Sequence, residues 1–384
     1  MQPNTFVELH ILQNFAPANL NRDDTNTPKT CDFGGHRRAR ISSQCIKRSI
    51  RTHPLFEQIL EGNVGIRTKL LVRELKNNLL EKDFAESDLD AILPLFVGGA
   101  ISGMDGDKTK VLFYLGRDEI GRLAGLVADN WGRLQEFIAG QADTADAKAK
   151  KKAAAEAKAF FSEITKDYQP GTKVADVAMF GRMLAEHPNY NAEAACQVAH
   201  AISTNRVNVE MDFFTAVDDL QPDEETGAGM MGTIEFNSSC FYRYAVIHLN
   251  QLLANMDQDS DLAKTSIEAF IRAAVAAIPT GKQNGFAAQN PPSFVMATVR
   301  RTGSPWSLAN AFITPVYVGR QGNLVEKSIE VLARHWDELA KMYGADGLAA
   351  APVCVLGEAQ LHGLADGRVD SIDQLIAKVM ETLQ

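Results

Sequence analysis

Apolar and polar positions alternate first in "TFVELHILQ" (residues 5–13), a run of β-branched and apolar side chains that predicts a strand with Glu8 and His10 on one face. The polar stretch that follows, residues 14–40, holds two prolines, several asparagines and a glycine pair. It is expected to be a long loop, and connections of that length in a compact domain are usually functional or disordered. At Ser42 the pattern changes to helix. Ser42 suits an N-cap, Ile41 and Ile46 stand where a hydrophobic staple needs them, and Ile46 and Ile50 mark the inward face. Lys47, Arg48 and Arg51 then share the other face with Ser43 and Gln44.

From about 65 to 205 the spacing of three and four predicts mostly helix, including "AKAKKKAAAEAKAFF" (147–161), where Lys148, Lys151 and Lys152 recur at helical spacing. Residues 205–232 begin strand-like and end polar and Gly-rich, as an exposed arm. "TIEFNSSCFYRYAVIHLN" (233–250) predicts two strands about a tight turn at Asn237–Ser239. A helix near 261–278, a strand at 293–300, a short helix near 307–313, a helix closed by Gly344, and a last strand and helix complete the chain. The order implies an α+β domain interrupted by a helical insertion, and the βαββαβ ferredoxin-like plan can host one.

Composition narrows the class. With 384 residues, 45% hydrophobic, the chain can bury a large core. No run approaches the roughly 20 apolar residues of a bilayer span, and the first residues lack the basic and apolar regions of a signal peptide. No membrane partner is expected. Five scattered cysteines without a CxxC pair fit reduced thiols in a cytoplasm.

Charge alters the picture more. The net charge is −9, yet residues 22–51 hold eight basic and three acidic residues, a local excess of five positive charges. A basic patch on an acidic body is a focused footprint for an anionic partner. Gly34 and Gly35 allow positive φ or close approach to a ligand. The N–H groups opening the helix near Ser42 and Ser43 favour a phosphate. Arg37, Arg38 and Arg40 upstream, with Lys47 and Arg48 downstream, string the charge along the chain, which suits a phosphate backbone better than one phosphate group. The plainer alternative is a solvated helix start with surface ion pairs.

Other chemistry is sparse. Phe213 and Phe214 point to opposite strand faces, so one could stack on bases while the other joins the core. The Lys-rich helix reads as a nucleic-acid track or simply as a solvated helix. There is no GxxxxGK[ST] loop, so nucleotide hydrolysis is a poor reading. Asp23, Asp24 and Asp32 could hold a metal, and His10 or His36 could serve as acid or base, but no HxxxH or Ser-His-Asp spacing supports them and none of these three aspartates stands in a DxD. Asp23 and Asp24 could equally order the loop through Asx turns. No cofactor is expected.

The block "LNRDDTNTPKTCDFGGHRRARISSQCIKRSIR", with "TAVDDL", "FYRYAVIHLNQL" and "SLANAF", resembles the CasC family, the repeated backbone subunit of the type I-E CRISPR Cascade complex, over nearly the whole chain. That resemblance implies a hand-like molecule. Its palm is a modified RNA-recognition-motif (ferredoxin-like) domain at 1–60 and 233–384, with helical fingers at 61–204 and a thumb at 205–232. It implies copies stacked along a CRISPR RNA with other Cascade subunits, kinking the guide and presenting it to target DNA. Carried over by position, Arg22, Lys29, Ser42, Gln44, Lys47, Arg48 and Arg51 line the RNA backbone. Phe213, Phe214 and Thr215 meet the kink, Met183 wedges against bases, and the helix of Lys148, Lys151 and Lys152 corresponds to a finger helix linked with DNA. The family's subunits do not cut. Related type III subunits cleave RNA with a loop aspartate, so a metal-dependent ribonuclease is the alternative.

Overall fold

The computed structural model describes residues 4–139, 147–166, 168, 171, 173–184, 188–216, 219, 230–320 and 322–383, without the side chains of 147–155. It is a mixed α/β chain built on an antiparallel sheet and divides into two compact units. The first comprises residues 1–60, 196–253 and 259–384, and the second residues 61–195 and 254–258. Among the described residues no helix is long and apolar enough to cross a membrane.

In the first unit, β1 (Phe6–Ala18) lies at the centre of the sheet, buried on both faces. It pairs on one side with the long strand Met230–His248 and on the other with Phe294–Arg300. The sheet runs Leu348–Ala350, Phe294–Arg300, β1, Met230–His248, Ala201–Ser203, then β3 (His36–Ile41) and β2 (Thr30–Phe33). Register sets the faces. His10 opposes Tyr244 and Met296, and Leu12 opposes Tyr242 and Phe294, so Glu8, His10, Leu12, Tyr242 and Phe294 share one side. There Leu12, Tyr242 and Phe294 pack against Ile329, Leu332 and Trp336 of the Leu324–Tyr343 helix. On the other side Leu9, Ile11 and Ala245 meet Ile46, Ile50 and Phe270.

Three expectations change. The 14–40 stretch is not a long loop, because β1 continues to Ala18 and β2 and β3 form a hairpin. Its two-residue turn is Gly34–Gly35, with φ of 60° and 76°, the left-handed pair that matches strand twist. A Cβ on Gly34 would strike the Ile313 carbonyl, so the close approach is to the protein's own backbone. Residues 233–248 do not turn at Asn237–Ser239. They belong to one 19-residue strand whose irregularity against β1 falls at those positions. Residues 196–204, read as part of the helical run, instead supply two short strands to the sheet.

The second unit packs the helices Leu71–Leu80, Glu86–Phe96, Arg117–Asp129 and Ala147–Ile164 around Leu75, Leu93, Phe96, Leu123 and Phe161. Its one buried ion pair among the described residues joins Arg182 Nη1 to Glu119 at 3.0 Å, and Glu119 also accepts from the Gly116 N–H at 2.6 Å.

Candidate nucleic-acid interface

The basic stretch folds as the β2–β3 hairpin running into α1 (Ser43–Arg51). Ser42 caps the helix, its hydroxyl accepting from the Cys45 N–H at 3.3 Å. Asn21 Oδ1 accepts from the Ser42 N–H at 2.8 Å and ties the preceding loop to the helix start. Ile46 and Ile50 are buried, which turns Gln44 and Arg48 outward, while Lys47 and Arg51 are half-buried. Arg48 and Arg51 occupy the last turn, where the helix dipole favours cations. The first-turn N–H groups of Ser43 and Gln44 form the positive end.

Arg22 and Arg48 line one cleft of about 390 Å³ together with Asn21, Asp23, Ser49, Thr280 and Gly281. Lys29 is held beside it, its N–H donating to the Asn21 carbonyl at 2.8 Å. Asp23 orders the turn between them. Its carboxylate accepts from the N–H groups and hydroxyls of both Thr25 and Thr27, which holds its pKa at about 2. The Asx-turn reading of Asp23 is therefore its local role. Arg37 is exposed on β3, whereas Arg40 is half-buried, its Nε donating to the Thr30 carbonyl and its Nη1 to His200 Nδ1 at 3.1 Å. Burial first, then Arg40 and Lys29, pushes the His200 pKa down, so its ring accepts that bond as the neutral form.

Arg38 departs from its expected place on the basic surface. It has no exposure; Nη1 donates to the Ser203 and Thr204 carbonyls, both at 2.9 Å, and Nη2 to those of Phe312 and Ile313 at 2.6 and 3.1 Å. A guanidinium closed off in this way ties the hairpin to two distant loops and cannot meet an external phosphate.

The arm is a hairpin too. Glu210–Ala216 pairs with the outer end of the long strand, with Phe213 opposite Thr233 and Phe214 opposite Gly232. Phe213 is 63% exposed on a face shared with Met211 and Met231, which are also exposed. Phe214 lies over Gly232 on the other face, where a Cβ would strike its ring. Thr215 is exposed. In the second unit Met183 is 87% exposed, next to the buried Arg182. Lys148, Lys151 and Lys152 are on the Ala147–Ile164 helix, but their side chains lie outside the described residues. Sequence reasoning missed His200, Thr280 and Gly281. No local pattern marks them, because only the tertiary fold brings them to residues 20–52.

Residues 7–380 match the family described as CT1975-like protein. The chain belongs to that family. No curated protein matches this CT1975-like chain. Solved structures do. A chain of a "CRISPR RNA-guided surveillance complex, pre-nicking" is 30% identical, with a TM-score of 0.82 over 99% of this chain and 100% of that one. A chain of a "CRISPR RNA-guided surveillance complex" is 26% identical, with a TM-score of 0.71 over 98% and 99%.

Proposed function

We propose that this CT1975-like protein is a non-catalytic backbone subunit of a CRISPR RNA-guided surveillance complex, of the type I-E CasC kind, acting in antiviral defence in the cytoplasm. Copies stack along the guide RNA beside other Cascade subunits and present it to target DNA. The first unit acts as a modified RNA-recognition-motif palm, the second as fingers, and the 205–232 arm as a thumb whose Phe213, Phe214 and Thr215 meet the RNA kink. Met183 serves as a wedge against bases, and Lys148, Lys151 and Lys152 face DNA.

The observation that carries this reading is the capped start of α1, with Arg48 on its exposed face beside the cleft it shares with Arg22, within a chain whose full length is similar to surveillance-complex chains. The chemistry there suits sequence-neutral binding. Arg22, Lys29, Arg37, Lys47, Arg48 and Arg51, with Ser42, Ser43 and Gln44, can hold sugar-phosphate and leave base edges free. Each phosphate neutralised releases counterions, so binding weakens with salt. The Asp23 carboxylate is engaged by four donors of its own turn, which gives a metal-binding role for Asp23 little support.

The test is RNA retention across a salt series. Lys47→Ala with Arg48→Ala is expected to weaken binding and lower the slope of log affinity against log salt by about 0.7 for each lost phosphate contact. An unchanged slope would sink the RNA reading. Cleavage of complementary RNA with Mg²⁺, abolished by Asp23→Ala, would move the protein to the ribonuclease class.

A further inference from the structure

The cleft of about 390 Å³ that holds Arg22 and Arg48 is lined by more than cations. Ser49 and Thr52 bring hydroxyls to it from the end of α1, and Asp23 brings a carboxylate. A phosphodiester carries acceptors alone. The two guanidiniums suit it, and a carboxylate repels it.

What the two hydroxyls can meet depends on where their hydrogens go. Ser49 Oγ donates to the Cys45 carbonyl at 3.0 Å, and Thr52 Oγ1 donates to the Arg48 carbonyl at 2.9 Å. These are the back-bonds that a helical Ser or Thr makes four residues upstream. A hydroxyl has one hydrogen and two lone pairs, so each oxygen is left to the cleft as an acceptor. Asp23 also only accepts, and its carboxylate already takes four bonds from Thr25 and Thr27. Ser49 and Thr52 stand three residues apart, on one face of the helix. The C-terminal end of a helix is moreover the negative end of its dipole. Beside its cations the cleft therefore receives a neutral donor more readily than a second anion.

We propose that this cleft selects ribose over deoxyribose, with Arg22 and Arg48 on a phosphate and Ser49 Oγ and Thr52 Oγ1 accepting from the 2′-hydroxyls of the sugars that flank it. The 2′-hydroxyl is the backbone group that lets a protein tell RNA from DNA, and it can donate. It sits on the carbon next to the one bearing the 3′ phosphate, so a strand whose phosphate meets the arginines carries a donor to the acceptors beside them. Deoxyribose would leave both oxygens facing a C–H. This selection rests on the phosphate grip of the same cleft and adds the sugar to it.

The full chain would be titrated, by fluorescence anisotropy across a salt series, with one mixed sequence made as RNA, as 2′-fluoro RNA and as DNA. The 2′-fluoro strand keeps the charge and the ribose-like pucker but has no hydrogen to donate. RNA should bind about five- to tenfold more tightly than 2′-fluoro RNA, the worth of one hydrogen bond. Ser49→Ala and Thr52→Val should each reduce that ratio, and together bring it to about one. Alanine favours the helix and valine keeps the shape of threonine, so both variants should fold. Equal binding of RNA and 2′-fluoro RNA by the parent, or a ratio that survives both substitutions, overturns the proposal. Lys47→Ala with Arg48→Ala should lower the salt slope for all three strands. If it does so while the parent ratio is one, the phosphate grip stands and the sugar selection alone falls.

Discussion

Inside the sheet of the first unit, arginines serve as fasteners. Arg38 is held by four carbonyls, Arg243 by Gln13 at 2.6 Å and the Ala274 carbonyl at 2.7 Å, and Arg300 by Glu8. On the face made by the hairpin and α1, Arg37 and Arg48 project outward. Arg37 and Arg38 are adjacent on one strand, so strand geometry alone sends one in and one out. The contrast teaches that charge density in a sequence overstates a binding surface, because part of the charge is consumed in holding the surface together.

The sharpest way to break this contrast is a pair of substitutions. Arg38→Ala removes the donor from four carbonyls, three of them in buried bonds, and should cost about 3–5 kcal/mol in urea unfolding. Arg37→Ala should change stability by less than about 0.5 kcal/mol while weakening RNA retention. Similar stability losses in both variants would erase the distinction between interior and surface.

A second prediction concerns the interior through pH. His10 is buried and shares a 2.9 Å hydrogen bond between Nδ1 and the Tyr242 hydroxyl, which also accepts from the Leu308 N–H. Burial, then Arg300, drives its pKa down to about 3. Between that value and about 6.5, the unfolded chain binds a proton that the folded chain refuses, so stability falls as pH falls through the window. Neighbouring Glu8 works in the opposite sense, because burial raises its pKa and the folded state takes up a proton first. The His10 share is therefore read as a difference. His10→Gln should flatten the fall in unfolding free energy below pH 6.5 by an amount on the order of a few kcal/mol, and parallel curves would show that His10 does not titrate as argued.

Much of this was legible in the sequence, for identifiable reasons. β1 and α1 announce themselves because one side-chain period and one cap each suffice, and Ser42, Ile41, Ile46 and Ile50 behave as their spacing demands. The hairpin of residues 30–41 looks like loop in sequence because its strands are four and six residues long and polar, leaving only Gly34–Gly35 as a signal. The long strand was split because "NSS" imitates a turn, whereas in the fold Asn237 and Ser239 are buried beside β1. Burial of Arg38 depends on carbonyls 165 to 275 residues away, which no local pattern encodes. Arg22 carries no local sign that it shares a cleft with Arg48, nor Lys29 that it lies beside that cleft, and only the resemblance groups them.

A smaller effect tests the joint between hairpin and helix. Ser42→Ala removes the cap on Cys45 and should cost about 1 kcal/mol. It should also loosen the N–H groups of Ser43 and Gln44, so RNA affinity falls with stability. Ser42→Gly should cost only a few tenths. Equal losses in the two variants would mean that the cap bond is not what orders this helix start.

The smallest stability change is expected on the arm, where the same two roles recur within one dipeptide. Phe214 shields the bare backbone of Gly232 across the strand pair, a cross-strand contact of roughly 0.2–1 kcal/mol. Phe213, opposite Thr233 and 63% exposed, shields little of its own chain. Phe214→Ala should therefore lower stability slightly and affect assembly only through a looser arm, which Phe214→Leu restores in part. Phe213→Ala should leave urea unfolding within about 0.5 kcal/mol of the parent, yet disturb the regular spacing of nuclease-protected RNA in the assembled complex. Unaltered spacing with Phe213→Ala would remove the aromatic from the RNA contact and leave the arm with a purely structural pair.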